Sequence, residues 1–460
     1  MNVPLNPPPD LPLNLPRLVI AAPASGTGKT MVATGLLAAL RRQGLEVSCH
    51  KVGPDYIDPG YHALAAGRVG RNLDAWLVGE DRIAPLLRHA ASTPRPADIA
   101  VIEGVMGLHD GAVGRGGFAS TAHIARLTGS PVLLVLDTTA QGRSAAALVL
   151  GMQLFDKGIR IAGVILNRVG SDRHELLLRQ ALEEVGVPVV GSIGRSAAVV
   201  TPSRHLGLIP AAERHDEAER TVTALADLIE ASVDLAAVRA IAGSAPELTA
   251  PAWDPAAEVE RVASGVPVAV ASGPAFTFSY AETAELLAAA GADVRPFDPT
   301  RDTALPTGSR GVVIGGGFPE VHAEALSDNA GLRADLAAFD GPIAAECAGL
   351  LYLAAELDGK PMVGRIQARA RMTGKLTLGY REAVAEADSA VARAGERVHG
   401  HEFHRTVTDP AHGEVAAWRY AGDQGGSRQG FSVAGIHASY LHTHWAGQPS
   451  AAQRFVEACR

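Results

Sequence analysis

Cysteine is scarce in this sequence, and no apolar run has the length of a membrane span. The 460 residues include three cysteines, Cys49, Cys347 and Cys459, which are too few for a disulfide framework and indicate a reducing compartment. Crossing a bilayer takes ~20 apolar residues, and no run approaches that length. Residues 1–16 lack the basic segment and apolar core of a signal peptide. We therefore expect a cytoplasmic protein without a membrane partner, with a disordered lead-in over residues 1–16.

Positive charge is also in short supply. The formal net charge is −8 at pH 7, so we expect no nucleic acid or other general polyanion as a partner. Hydrophobic residues make up 47% of the chain and glycines number 50, which favours well-filled α/β domains with frequent short turns. Because a typical domain has about 150 residues, the length of the chain predicts two or three domains.

Apolar strands alternate with helical segments in both halves of the chain. Strands and helices of these lengths imply parallel β-α-β units with helices on both faces of each sheet. An irregular stretch over 243–262 separates the halves, and its prolines block helix continuation and limit strand pairing. We predict an α/β fold of two doubly wound domains, 17–242 and 263–460, joined by a linker over 243–262.

A phosphate loop is predicted at residues 22–30, Ala-Pro-Ala-Ser-Gly-Thr-Gly-Lys-Thr. An apolar strand precedes it and a helix follows, so backbone N–H groups and the positive end of the helix dipole converge on the turn. In such a loop Lys29 reaches the terminal phosphates and the Thr30 hydroxyl binds Mg²⁺. Pro23 stands where the usual pattern begins with glycine.

Polar residues follow several strands of the first half. Asp55, Asp58 and Glu103 come after predicted strands, at the sheet edge where open parallel sheets bind ligands, and carboxylates there suit Mg²⁺. Turn formation is the alternative for the two aspartates, and helix capping for the glutamate. Asn167 and Arg168 end another strand and are candidates for reading a nucleotide base, or simply a polar strand end.

The second half contains a candidate nucleophile. Cys347 lies at a sharp turn between a strand and a helix, with Ala345 in place of the first glycine of a nucleophile elbow. Glycines 315–317 follow another strand and suit either an oxyanion hole or a tight turn. Isolated cysteines are more often small buried hydrophobes, which is our interpretation of Cys49 and Cys459.

Three histidines near the C-terminus are candidates for the base that a thiol nucleophile needs. His437, His442 and His444 follow a predicted strand over Ser432–Ile436, which places them at the same sheet edge as Cys347. Zinc binding is the alternative, although no cysteine or carboxylate lies among them at ligand spacing.

Five segments together resemble the cobyrinate and hydrogenobyrinate a,c-diamide synthase family. They occur in the order of the family, between residue 18 and about residue 446. The family couples a dethiobiotin-synthetase-like ATPase domain to a class I, triad-type glutamine amidotransferase domain. The segments are the phosphate loop, Lys-Val-Gly-Pro-Asp-Tyr-Ile-Asp-Pro, Glu-Gly-Val-Met-Gly-Leu-His-Asp-Gly, Gly-Gly-Gly-Phe-Pro-Glu and His-Ala-Ser-Tyr-Leu-His.

The resemblance implies a ligase of cobalamin biosynthesis. ATP would phosphorylate the a and c acetate carboxylates of hydrogenobyrinate or cobyrinate in turn. Ammonia from glutamine hydrolysis would then displace the phosphate to form each amide. ATP and Mg²⁺ are the implied cofactors, the corrinoid and glutamine are the implied partners, and the resemblance leaves room for a homodimer.

The resemblance also assigns roles to residues by motif position. His444 stands where the family usually has the triad glutamate, which implies a Cys–His dyad. The implied assignments are ATP binding by Gly26, Thr27, Gly28, Lys29 and Thr30, metal binding by Thr30, Asp55 and Glu103, corrinoid binding by Tyr56, Ile57 and Asp110, thioester formation by Cys347, base catalysis by His442 and an oxyanion hole at Gly316 and Gly317.

Two other functions compete with this one. The first is a glutamine-dependent amidase of another tetrapyrrole or a later corrinoid, such as cobyric acid synthase. The second is a partition or maturation ATPase that only binds partners. Those ATPases usually carry an extra lysine early in the loop, where this chain has Ala24, and they offer no role for Cys347 and His442.

Overall fold

The computed structural model describes residues 12–195, 203–204, 207–208, 210–422 and 426–460. Most of the predicted disordered lead-in, residues 1–11, lies outside the described residues. Within 12–16, Leu15 is buried and Leu13 forms an antiparallel bridge with Leu248. No helix in the described ranges is long and apolar enough to cross a membrane.

The chain divides into two compact units. The first comprises Met1–Ala75 and Gly79–Trp253, and the second comprises Trp76–Val78 and Asp254–Arg460. The division after Trp253 falls inside the stretch 243–262 that we predicted as a linker.

The first unit is built on a sheet of seven parallel strands, as predicted for a doubly wound domain. These strands are β1 (Arg17–Ala21), β2 (Val47–Val52), β3 (Arg71–Leu73), β4 (Ile99–Glu103), β5 (Val132–Asp137), β6 (Ile161–Val169) and β7 (Val189–Gly194). Their order is β3-β2-β4-β1-β5-β6-β7. All residues of β1, β2 and β4 are buried, so both faces of the sheet centre are covered.

The helices of residues 29–243 follow these strands. They are α1 (Lys29–Arg42), α2 (Asp58–Ala66), α3 (Ala75–Val78), α4 (Ile83–Ser92), α5 (Thr121–Thr128), α6 (Ser144–Phe155), α7 (Asp172–Glu183), α8 (His215–Ser232) and α9 (Leu235–Gly243). A short hairpin, β8 (Ser203–Arg204) and β9 (Gly207–Leu208), precedes α8. α1 packs closely on α8, because a Cβ on Gly35 would lie 2.8 Å from the Leu225 carbonyl oxygen.

The second unit contains two sheets. Its strands are β10 (Val266–Ala271), β11 (Ala292–Phe297), β12 (Gly311–Ile314), β13 (Ile343–Glu346), β14 (Ala354–Leu357), β15 (Lys360–Pro361), β16 (Ile366–Ala385), β17 (Arg397–Asp409), β18 (Trp418–Tyr420), β19 (Arg428–Gln429), β20 (Phe431–Val433), β21 (Ile436–Ser439) and β22 (His442–Thr443). The first sheet has the order β11-β10-β12-β13-β21-β20 and is parallel except for its β20–β21 edge. It confirms the doubly wound prediction for this half.

The second sheet was not predicted. It has the order β15-β14-β16-β17-β22 and is mostly antiparallel. The helices of this unit are α10 (Pro255–Glu258), α11 (Ala281–Ala290), α12 (Ala323–Asp328), α13 (Ala330–Ala338), α14 (Ala348–Leu353) and α15 (Ser450–Ala458).

One predicted strand needs correction. The sequence predicted a single strand over Ser432–Ile436, but the structure has β20 and β21 joined by a turn. Ala434 and Gly435 adopt positive φ angles of 47° and 78°, which reverse the chain. β21 rather than β20 lies beside β13, with Ser439 opposite Glu346.

Candidate functional site

The first candidate site lies at the carboxyl ends of β1, β2 and β4. The loop after β1 turns sharply, with Gly26 and Gly28 at φ angles of 77° and 100°. These left-handed conformations are open to glycine and costly for other residues. Asn167 Nδ2 donates to the Thr27 carbonyl over 2.8 Å, so the end of β6 holds the loop in place.

Lys29 is folded over this loop at the start of α1. Its Nζ donates to the carbonyl oxygens of Ala24 and Met106, at 3.0 and 2.6 Å. Burial, reinforced by the nearby Lys51 ammonium, lowers the pKa of Lys29 to about 8. The lysine thus lies at the site with its ammonium satisfied by backbone carbonyls.

Thr30 and two carboxylates meet beside the loop. The Thr30 hydroxyl lies 2.6 Å from Glu103 Oε1 and 3.2 Å from Asp58 Oδ2. Lys51 Nζ donates to the same two oxygens, at 2.8 and 2.7 Å, and His62 Nε2 lies 2.6 Å from Glu103 Oε2. The structure therefore brings three of the candidate residues, Thr30, Asp58 and Glu103, into contact, and it adds Lys51 and His62 to the cluster.

Burial and charge compete in this cluster. Burial raises the pKa of Glu103, but Lys51 and His62 outweigh it and bring the value to about 2. Burial, reinforced by Asp55, raises the pKa of Asp58 to about 6. Burial opposes the charged form of Lys51, but the two carboxylates outweigh it and leave its pKa above the ordinary value. Glu103 and Lys51 thus form a charged pair inside the unit.

Asp55 has a different position from Asp58. Its Oδ1 accepts from the backbone N–H groups of Ile57 and Asp58, at 2.8 and 3.1 Å, which fixes the turn that starts α2. The side chain also lines a cavity of about 380 Å³ beside the loop. The lining includes Gly26, Gly28, Lys29, Thr30, Lys51, Asp55, Tyr61, Glu103, Gly104, Val105 and Met106.

The three residues predicted to contact the corrinoid, Tyr56, Ile57 and Asp110, are not among the residues that line this cavity. Tyr56 and Ile57 are buried, with 8% and 5% of their surface exposed. Asp110 Oδ2 accepts from the Gly107 N–H over 2.9 Å and closes the turn after β4. Their role in binding remains a prediction.

Sequence reasoning missed Lys51, Tyr61 and His62. Lysine is seldom fully buried unless it is paired. Because Lys51 lies in the buried strand β2, its position could have predicted an acidic partner. Nothing comparable marked His62, because its contact with Glu103 joins α2 to β4 across 41 residues.

Cys347 forms the centre of the second candidate site, in the other unit. It adopts a φ angle of 49° between β13 and α14, a strained conformation for a residue with a side chain. Its N–H donates to the Ser439 carbonyl over 2.7 Å, which ties the elbow to β21. A Cβ on Gly349 would lie 2.3 Å from the Ile314 carbonyl, so the elbow also needs this glycine.

The thiol of Cys347 is buried. Burial, reinforced by the Glu320 carboxylate, raises its pKa to about 12, while hydrogen bonds from the backbone of Ala348 and Gly317 work in the opposite direction. The resting group is a thiol, and it needs a base to become a nucleophile.

Gly316 and Gly317 differ in what their N–H groups do. Gly316 exchanges two backbone hydrogen bonds with Phe278, each 3.0 Å long, whereas the backbone of Gly317 is directed at Cys347. A Cβ on Gly316 would lie 2.4 Å from His442 Cε1. Gly316 therefore makes room for the imidazole.

His442 is fully buried on β22. Burial, reinforced by electrostatic interaction with His401 and His404, lowers its pKa to about 3, so the imidazole is neutral at pH 7. Its Nδ1 lies 3.9 Å from Glu346 Oε2. Burial raises the pKa of Glu346 to about 7.

The other two histidines make different contacts. His437 meets the Trp418 ring edge-on, with centroids 4.9 Å apart. His444 stacks on Tyr280 at 4.0 Å, and its Nε2 lies 3.7 Å from Glu282 Oε2. Within the described part of the chain, no group of three or more His, Cys, Asp or Glu residues is placed to hold a metal ion.

Cys49 and Cys459 are both buried free cysteines, as predicted. Cys49 belongs to the apolar core of the first unit. A Cβ on Gly311 would lie 2.3 Å from Cys459 Sγ, so this sulfur packs directly on β12.

Comparison with known proteins identifies both units. A family model described as CobQ/CobB/MinD/ParA nucleotide binding domain matches residues 18–209, and one described as CobB/CobQ-like glutamine amidotransferase domain matches residues 267–450. The chain is 56% identical to hydrogenobyrinate a,c-diamide synthase of Streptomyces coelicolor, over 97% of this chain and 98% of that protein.

Two further relatives agree. Hydrogenobyrinate a,c-diamide synthase of Thermobifida fusca is also 56% identical, over 96% of this chain and 97% of that protein. Cobyrinate a,c-diamide synthase of a Synechococcus species is 42% identical, over 96% of this chain and 98% of that protein. The chain therefore belongs to the family of hydrogenobyrinate and cobyrinate a,c-diamide synthases.

Proposed function

We propose that this protein amidates the a and c acetate carboxylates of hydrogenobyrinate or cobyrinate in cobalamin biosynthesis, using ATP and ammonia from glutamine. One observation carries the proposal. A single chain holds a phosphate loop with charged carboxylates and, in its other unit, a cysteine at a strained elbow with a buried histidine. The higher identity to the hydrogenobyrinate enzymes supports the cobalt-free corrinoid as the substrate.

The first unit would activate the carboxylate. A carboxylate is a poor electrophile, and transfer of the γ-phosphoryl group of ATP turns it into an acyl phosphate with ADP as the leaving group. The loop backbone over residues 26–28 and Lys29 would hold the phosphates. Tyr56, Ile57 and Asp110, which the family resemblance assigns to the corrinoid, are our candidates for contacts to it.

The residues beside the loop fit Mg²⁺. Magnesium prefers oxygen ligands and commonly binds one or two carboxylates together with phosphates. Thr30 and Glu103 supply such oxygens, and the geometry favours Asp58 as the second carboxylate, while Asp55 shapes the turn beside it. The ion would neutralise charge on the phosphates, and Lys51 would keep both carboxylates ionised.

The second unit would release ammonia. The thiol proton of Cys347 passes to His442 as the sulfur attacks the glutamine carboxamide carbon, and the proton then leaves with the amide nitrogen as ammonia. Water hydrolyses the thioester to glutamate and restores the thiol. The N–H groups of Gly317 and Ala348, both directed at the sulfur, are our proposed oxyanion hole, because Gly316 already donates to Phe278.

Ammonia then attacks the acyl phosphate, giving the amide and inorganic phosphate. At neutral pH free ammonia is mostly ammonium, which is not a nucleophile, so production of ammonia by the same chain preserves the reactive form.

The scarce, buried cysteines support a cytoplasmic location. Leu154 and Phe155, which are 61% and 78% exposed on α6, support a protein contact such as a homodimer.

Cys347→Ser tests this division of labour. The variant should lose glutamine-dependent synthesis of the diamide and keep synthesis driven by added ammonium salt, measured by mass spectrometry of the corrinoid product. Full glutamine-dependent activity in the variant would refute the thioester. Parallel assays with hydrogenobyrinate and its cobalt form decide between the two substrates.

A further inference from the structure

We propose that Glu346 is the positioning residue for His442 and replaces the acidic residue that class I amidotransferases usually carry two positions after the base. The proposal rests on the glutamine hydrolysis proposed above. It names the partner that the sequence left open, and it places that partner directly before the nucleophile in the chain.

The first observation is the geometry of the Glu346 carboxylate. Its Oε1 accepts from the Thr443 backbone N–H and hydroxyl, at 3.1 and 2.6 Å, which fixes the carboxylate against β22. Its Oε2 lies 3.9 Å from His442 Nδ1. One oxygen is thus anchored and the other faces the imidazole at a distance that can shorten when substrate binds.

The second observation concerns His444, which occupies the position of the usual acid. Its ring stacks on Tyr280, its Nε2 lies 3.7 Å from Glu282, and its Nδ1 accepts from the Ala446 N–H over 3.3 Å. These contacts direct both of its nitrogens toward α11 and the turn after β22. Glu346 instead supplies the carboxylate beside His442.

The strand arrangement explains how a residue next to the nucleophile reaches the base. β13 pairs in parallel with β21, with Glu346 opposite Ser439, and the Cys347 N–H extends the ladder by one bond. The chain then turns from Ser439 into β22, so His442 and Thr443 return past the end of β13. The same pairing sets Glu346, one residue before Cys347, against β22.

The chemistry needs a negative charge at this position. When His442 takes the thiol proton at one nitrogen, the other nitrogen carries N–H and the ring becomes an imidazolium. A carboxylate beside Nδ1 stabilises that cation and holds the tautomer whose second nitrogen accepts the proton. His401 and His404, which also face His442, offer no negative charge.

A purely structural role is the competing explanation. Glu346 would then serve only to join β13 to β22 through Thr443. Thr443→Val separates the two roles, because it removes the hydroxyl donor and keeps both the Glu346 carboxylate and the backbone N–H of residue 443.

The experiment compares steady-state glutamine hydrolysis in Glu346→Gln, Glu346→Asp and Thr443→Val, in the full chain with ATP and corrinoid. Glu346→Gln keeps the shape and removes the charge, and we expect kcat to fall about 100-fold with the KM for glutamine within about threefold. Glu346→Asp shortens the side chain by one methylene and keeps the charge, and we expect kcat to fall by an intermediate factor of about 10. Thr443→Val removes one of the two hydrogen bonds that anchor the carboxylate but keeps its charge, so we expect a smaller loss of about threefold.

Ammonia-driven synthesis in each variant reports on folding and on the first unit, and it should be unchanged. A Glu346→Gln variant within about threefold of the wild type, or a Thr443→Val variant as slow as Glu346→Gln, overturns the proposal. If Glu346→Gln does not fold, equal kcat values for Glu346→Asp and Thr443→Val overturn it, and a kcat about threefold lower in Glu346→Asp than in Thr443→Val supports it. Glutamine hydrolysis that survives Cys347→Ser would instead refute the proposed function.

Discussion

Gly316→Ala offers a steric test of the second site. The new Cβ would lie 2.4 Å from His442 Cε1 and 3.1 Å from the Phe278 Cβ, whereas ordinary contacts begin near 3.4 Å. The imidazole is fully buried, so the ring has to move by about 1 Å or the β12 loop has to shift. Overpacking of this kind costs about 2 kcal/mol of stability.

A displacement of about 1 Å in a catalytic group can lower the rate about 100-fold. We therefore expect glutamine-dependent synthesis to fall by about that factor and ammonia-driven synthesis to remain, because the first unit is untouched. The assay is ammonia release from glutamine at saturating substrate, with diamide formation from ammonium salt measured in parallel.

Gly374→Ala is the matched control. It adds the same methyl group in the same unit, where nothing lies within 4 Å of the new Cβ, and both activities should match the wild type. Glutamine-dependent activity of Gly316→Ala within about threefold of the Gly374→Ala value would refute the placement of His442 against Gly316.

Three further perturbations probe the sites. Glu103→Gln removes one of the two buried carboxylates that neutralise Lys51, so we expect the free energy of unfolding to fall by about 3 kcal/mol. We also expect ammonia-driven synthesis to be lost, and normal synthesis would contradict the metal-site assignment. Asn167→Ala removes one hydrogen bond to the phosphate loop and should raise the Kd for ATP about fivefold by calorimetry; an unchanged Kd would contradict this anchoring. The pKa of Glu346 is raised to about 7, so its carboxylate forms as pH rises through neutrality, while His442, with a pKa of about 3, stays neutral. The kcat for glutamine hydrolysis should therefore rise through about pH 7 in the wild type and be independent of pH in Glu346→Gln. The same pH profile in the variant and the wild type would contradict the role of Glu346.

Much of the parallel scaffold could be predicted from the sequence. β10 and α6 lie over the apolar segments Val266–Ala271 and Ser144–Phe155 of the sequence. Buried parallel strands are continuous apolar runs bounded by turn residues, so their ends are visible without tertiary information. The prediction of a phosphate loop between β1 and α1 had the same basis.

The antiparallel sheet of the second unit could not be predicted in this way. β16 extends over 20 residues with few fully buried positions after Arg371, so its pattern is weak along most of its length. Its register with β17 also shifts between Met372 and Thr377. A strand of this kind is specified by pairing with its neighbours rather than by an apolar face.

Contacts between distant strands set the remaining parts of both sites. Lys51 meets Glu103 only because β2 and β4 are neighbours in the sheet, an order that the sequence does not state. Glu346 adjoins Cys347 in the chain, but its relation to His442 depends on the pairing of β13 with β21. Local pattern suggested Cys347 as the nucleophile and His442 as the base, and the strand order adds Glu346 as our proposed positioning residue.

The proposed function requires that one chain makes ammonia from glutamine and uses it to amidate an activated corrinoid carboxylate. The direct measurement is mass spectrometry of hydrogenobyrinate incubated with the protein, ATP, Mg²⁺ and glutamine labelled with ¹⁵N in the amide. We expect a diamide that carries the label in both new amides, and an unlabelled diamide from Cys347→Ser with unlabelled ammonium salt. Unchanged corrinoid from the wild-type protein, or a labelled diamide from Cys347→Ser with labelled glutamine, would contradict the proposed function.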